Sequence, residues 1–116
     1  MSHSNLINDF IKHAIIHGET QYSGDYKRGN KSSSILFNLS SQIKKDLENR
    51  ARIVDRLLEE TNPGVLIWTS FVSINMNYRK KDCMLILKKL AHNQELGIQS
   101  HNAEMTLKEF RKKKLY

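Results

Sequence analysis

Apolar and polar positions along this chain repeat at helical spacing in every segment, and no stretch alternates as a strand does. The strongest signal runs from Asn62 to Leu90. Asn62-Pro63-Gly64 reads as a helix start: the Asn side chain accepts an orphan backbone N–H, and proline at the first helical position loses nothing by lacking its own. Behind it, Val65, Trp68, Val72 and Met76 form one stripe, with Ile67, Phe71 and Ile74 beside it. An arc that wide predicts a helix buried on more than one side. A polar break from Asn75 to Lys81 follows, then Cys83, Leu87, Leu90 and Ala91 at helical spacing, widened by Met84 and Ile86. The expectation is a helical hairpin whose first arm is the more buried.

The remaining segments follow the same rule. Leu6, Ile7, Phe10, Ile11, Ala14 and Ile15 predict an amphipathic helix, with Gly18 as its C-cap and Glu19 to Gly24 as a polar connection. Asp25 caps a second helix, whose buried face is Leu36, Leu39, Ile43 and Leu47; Ser32-Ser33-Ser34 leaves its start open. Asp46 to Arg52 reads either as continuous helix or as a brief break. Ala51, Val54, Leu57 and Leu58 mark a third helix, which stops before Pro63 because the residue preceding proline avoids helical geometry. Leu96-Gly97 closes the hairpin, Gln99 to Asn102 reads as a loop, and Ala103 to about Lys113 as a last helix with Met105, Leu107 and Phe110 for packing. The fold expected is all-α: a single domain over 1–116 of five or six helices, stacked as a short α-α superhelix, with Phe10, Leu39, Leu57, Trp68, Phe71 and Leu87 in one core.

Composition narrows the classes. A chain of 116 residues with 39% hydrophobic and 27% charged positions suits one folded domain. There is no apolar run long enough to span a bilayer, and residues 1–5 do not resemble a signal peptide. The single Cys83 falls on a predicted buried face and forms no internal disulfide; a cytoplasmic location is the expectation. The net charge of +7 is uneven: residues 1–60 carry nine Lys/Arg against eight Asp/Glu, residues 61–116 ten against four. The clusters are Arg79-Lys80-Lys81, Lys88-Lys89 and Arg111-Lys112-Lys113-Lys114. Such a surface suits an acidic partner or a phosphate backbone, although cations near a helix C-terminus are also stabilised by its dipole.

Antiparallel helix pairs with Glu59-Glu60-Thr61-Asn62-Pro63-Gly64-Val65, then Trp68, then Leu87-Lys88-Lys89-Leu90-Ala91 resemble a HEAT repeat. Two further stretches resemble the terminal motifs of a family of small bacterial proteins classed as a domain of unknown function and regarded as distantly HEAT-like. These are His17-Gly18-Glu19-Thr20 with Gly24-Asp25-Tyr26-Lys27-Arg28-Gly29-Asn30-Lys31, and Ala103-Glu104-Met105-Thr106-Leu107-Lys108-Glu109-Phe110. Phe110 stands where that family usually has Trp, and Ile98 to Asn102 lengthens the preceding loop. The resemblance covers nearly the whole chain and implies a fold more than an activity. Some small helical proteins of this kind are similar to immunity proteins encoded beside bacterial toxins.

Candidate chemistry is sparse. His13 and His17 share a helix face, but a metal needs further ligands and none lies in that row, so no metal or other cofactor is expected. Cys83 has apolar neighbours and reads as structural rather than nucleophilic. Trp68 reads as core, with lining a groove as the alternative. The binding candidates are Tyr22, Tyr26, Lys27, Arg28 and Asn30 in the first connection, and Tyr78, Arg79, Lys80 and Lys81 in the hairpin turn. With no catalytic constellation, the expectation is a non-enzymatic protein-interaction module, with an immunity-type protein that neutralises a toxin or effector as its specific form. The alternative is a helical-repeat protein binding nucleic acid through its basic half. Few aromatics, Tyr78 and Tyr116, interleave with those bases, which disfavours a stacking mode on single strands.

Overall fold

The computed structural model describes residues 3–114. They form six α-helices and no strand: α1 (Ser4–Ser23), α2 (Tyr26–Lys45), α3 (Arg50–Leu57), α4 (Pro63–Asn75), α5 (Lys80–His92) and α6 (Ile98–Lys114), with a 3-10 turn at Gln94–Leu96. The all-α expectation holds. The radius of gyration is 13.6 Å, where one compact domain of this length has about 13 Å.

The helix starts expected at Asp25 and Asn62 are both present. Asp25 accepts a hydrogen bond from the Arg28 N–H (3.3 Å), and Asn62 accepts from the N–H groups of Gly64 (2.9 Å) and Val65 (3.3 Å). Between α2 and α3 the chain breaks briefly at residues 46–49. Leu47 therefore leaves the helix and is 74% exposed rather than on the buried face.

Two boundaries differ from the sequence reading. Gly18 is not a C-cap: α1 runs five residues further, and Gly24 ends it at φ 80°, donating its N–H to the Thr20 carbonyl. Glu19 to Ser23 is thus helix, not a connection. Gly18 instead gives way to a neighbour, since a Cβ there would sit 2.3 Å from Gln99 Nε2. Likewise the segment from Gln99 to Asn102 is the first turn of α6 and not a loop. Apart from exposed His101, its polar residues are buried or half-buried: Ser100 Oγ donates to the Ala91 carbonyl (2.7 Å), and Asn102 Nδ2 donates to Gln21 Oε1 (2.6 Å). Buried polar groups with partners look, in a sequence, like a solvated loop.

Helix α4 sits at the centre, packed against α1, α3, α5 and α6, while α1 pairs with α2 and α5 with α6. Its buried face takes in Val65, Ile67, Val72 and Ile74 and also Thr69, Ser70 and Ser73. Thr69 and Ser73 satisfy their hydroxyls by donating to the carbonyls of Val65 and Tyr78. The core is not the single cluster expected. Phe10, Leu39 and Leu57 lie in one, built with Ala14, Leu36, Ile43, Val54 and Val65. Leu87 lies in a second, with Cys83, Ala103, Leu107 and Phe110. Phe71 is only part-buried and packs against both. Met105 turns outward and is 45% exposed.

Candidate interaction site

Three helices place aromatic rings at one point on the surface. Phe37 of α2 and Trp68 and Phe71 of α4 meet edge to face, with ring centroids 5.2 Å (Phe37–Trp68), 6.2 Å (Phe37–Phe71) and 6.2 Å (Trp68–Phe71) apart. His17 of α1 extends the cluster, its ring perpendicular to Trp68 at 5.5 Å. Edge-to-face packing matches the positive ring edge to the negative face of the neighbour. The cluster is not closed over: Trp68 and Phe71 are half-buried and Phe37 is 55% exposed. Trp68 packs against the first core cluster with one part of its ring and lines a groove with the rest.

These rings form the apolar wall of a cleft of about 240 Å³. Ile67 and Met105 add to that wall; Gln21, Gln99, Asn102 and Thr106 line the other side. The polar side is held in place from both flanks. Gln99 inserts where Gly18 and Gly64 both lack a side chain: a Cβ on Gly64 would be 3.2 Å from Gln99 Nε2. Asn102 then bridges Gln21 and Gln99, donating to both side-chain oxygens. Burial without a charged partner lowers the basicity of His17, because desolvation disfavours the imidazolium. The cleft is therefore lined by apolar and neutral polar groups.

The candidates from the sequence fall into two separate places. Tyr26 and Asn30 line a second cleft of about 250 Å³ with Asp25, Gly29, Thr20 and Ile98; it shares His17 and Gln21 with the first. Lys27 and Arg28 are exposed beside it. Tyr22, 62% exposed, donates its hydroxyl to the Leu96 carbonyl and ties the end of α1 to the 3-10 turn. Tyr78 and Arg79 sit instead in the α4–α5 turn, where both bond Asp55 of α3, Tyr78 Oη at 2.8 Å and Arg79 Nη1 at 3.1 Å. Arg79 also reaches Asp82 at 3.0 Å. Asp82 and then Asp55 stabilise its charged form. Arg79, like Asn77 in the same turn, has a left-handed backbone, at φ 47°. Lys80 and Lys81 make none of the ion pairs found among the described residues. Neither of these two clefts, both among the described residues, contains members of both groups.

His13 and His17 diverge: His13 Nδ1 is 3.1 Å from Ser32 Oγ, whereas His17 faces Trp68. Among the described residues no three metal-ligating side chains gather. Cys83 is buried in the second cluster. Of the basic C-terminal run, Arg111 and Lys112 are exposed on α6; the side chains of Lys113 and Lys114, and Tyr116, lie outside the described residues. Among the described residues no helix is long and apolar enough to cross a membrane.

Sequence reasoning missed Phe37, Gln21, Gln99, Asn102 and Thr106. Phe37 was legible: it breaks the buried stripe Leu36-Leu39-Ile43 and so had to face elsewhere. The four polar residues carry no signal until α6 is seen to pack on α1. No family model, curated protein or solved structure matches the chain.

Proposed function

We propose that this chain is a non-enzymatic protein-interaction module whose contact surface is the aromatic cleft between α1, α2, α4 and α6. The observation that carries this reading is Phe37, a large ring left 55% exposed beside half-buried Trp68 and Phe71. Exposed aromatics gathered at a concave point are what interface hot spots use, because a partner side chain can be desolvated there completely. The immunity-type form, suggested by the family resemblance, makes the partner a toxin or effector domain. The net charge of +7 favours an acidic one.

The alternative, phosphate-backbone binding through the basic half, has less behind it. Arg79 at the end of the α4–α5 turn and Lys80-Lys81 in the first turn of α5 bring three cations together in sequence, but Arg79 is engaged by two carboxylates, leaving less charge to neutralise phosphate.

The test is co-expression with the product of the adjacent reading frame. Wild-type protein should protect the host and co-purify with that product as a stoichiometric complex. Phe37→Asp, which changes an exposed position and should leave the helical circular dichroism intact, should lose both. Equal protection by Phe37→Asp would refute the cleft as contact surface.

A further inference from the structure

The cleft is one part of a longer feature. Phe37 and Phe71 also line a third hollow, of about 510 Å³, with Ser40, Ser41, Lys44, Lys45, Val72 and Asn75. The second cleft joins the first through His17 and Gln21. The three clefts thus adjoin as one groove through shared lining residues, and α2 contributes side chains to each. At 100° per residue, Tyr26, Asn30, Phe37, Ser41 and Lys44 fall within about 40° of a single line along that helix. From Tyr26 to Lys44 that line is about 27 Å long.

Chemistry changes along the groove in a fixed order. One end has Asp25, Tyr26 and Asn30. The middle is the aromatic wall facing Gln21, Gln99 and Asn102. The far end has Lys44 and Lys45, with no carboxylate among its lining residues. Neither lysine joins any of the ion pairs among the described residues. Amide side chains recur throughout: Gln21, Asn30, Asn75, Gln99 and Asn102. An amide both donates and accepts, as a peptide unit does. A helix has its backbone groups satisfied internally and offers a row of amides little. An extended chain presents free N–H and C=O groups along its whole length.

Resting on the reading above, we propose that the groove takes an extended segment of the partner protein, about eight residues long, with one large apolar side chain at its middle and carboxylates at one end. At about 3.3 Å per residue, eight residues match the groove's length. The apolar side chain fills the aromatic cleft and the carboxylates meet Lys44 and Lys45. The segment's backbone pairs with the amide groups not already engaged, Asn30 at one end and Asn75 Oδ1 at the other, since Asn102 donates to Gln21 and Gln99 and Asn75 Nδ2 to the Phe71 carbonyl.

The experiment titrates the isotopically labelled full chain with synthetic eight-residue peptides, followed by backbone amide NMR shifts. One peptide has a central Trp and two Glu at its C-terminal end; a second carries the two Glu at its N-terminal end. A third has two Lys in place of the Glu, and a fourth replaces the Trp by Ser. A random twelve-nucleotide RNA runs in parallel. At least one Glu peptide should shift residues along the groove, including Phe37, Phe71, Gln21 and Lys44. The Lys peptide should bind roughly tenfold more weakly, the scale of two exposed ion pairs. In the Lys44→Glu/Lys45→Glu variant the preference should reverse. Equal binding of Glu and Lys peptides would overturn the polarity. Shifts centred on Arg79 to Lys81, or no shifts with any peptide, would overturn the extended-segment proposal. RNA binding in the groove where peptides fail would assign it to nucleic acid. None of these results decides whether Phe37→Asp abolishes protection, so the broader reading stands or falls separately.

Discussion

Residue by residue, burial separates side chains that hold the fold from those that shape the groove. Phe10 is wholly buried in the first cluster, whereas Phe71 is part-buried between the two. Phe10→Ala should cost about 3–5 kcal/mol, as the loss of a fully buried aromatic does. Phe71→Ala should cost about 2–3 kcal/mol, less because part of its ring already meets solvent. Chemical denaturation of both variants checks the order, and a larger loss at Phe71 would contradict it. His17 gives a pH signature. Its folded pKa lies below the ordinary imidazole value of 6.5 because of desolvation. Between those two values the unfolded chain binds more protons than the folded one, so stability falls as pH drops below about 6.5. His17→Gln, which never charges, should flatten that part of the profile of melting temperature against pH. An unchanged slope would place the titration on another histidine.

At the scale of elements, the sequence was most legible where periodicity and caps agree. Asn62-Pro63 and the stripes behind it located α4, and Asp25 located α2. It was least legible where a residue serves a distant neighbour. Gly18 looked like a terminator because glycine weakens helices, yet it is retained inside α1 so that Gln99 can approach. The first turn of α6 looked like a loop because its polar residues make contacts between helices rather than with water. Gly64 belongs to the same arrangement. A Cβ there would meet the Ala14 carbonyl oxygen at 2.9 Å, a backbone atom that cannot move aside alone. Gly64→Ala should therefore destabilise by about 1–3 kcal/mol, as overpacking does, even though alanine is the better helix former. A stabilised Gly64→Ala in thermal unfolding would show that α1 and α4 have room to separate.

For the whole molecule, charge and shape point to different surfaces. The basic half suggested the α4–α5 turn, but there Tyr78 and Arg79 clasp Asp55 and fasten the turn to α3. The groove lies along α2, a helix whose apolar face of Leu36, Leu39 and Ile43 is legible in the sequence, Leu47 excepted, but whose other side carries no such pattern. Its walls come from four helices far apart in the chain, which no local pattern announces. We propose this groove, rather than the basic turn, as the contact surface. Isothermal titration of the adjacent frame's product with two variants distinguishes the two surfaces: Phe37→Asp in the groove and Lys80→Glu/Lys81→Glu at the start of α5, beside the turn. Phe37→Asp should weaken binding at least about a hundredfold, the scale of a buried hot spot. The turn variant should keep its affinity within about tenfold and lose mainly association rate, as exposed steering charges do. The reverse ranking, with the turn variant dead and Phe37→Asp unimpaired, would contradict the account.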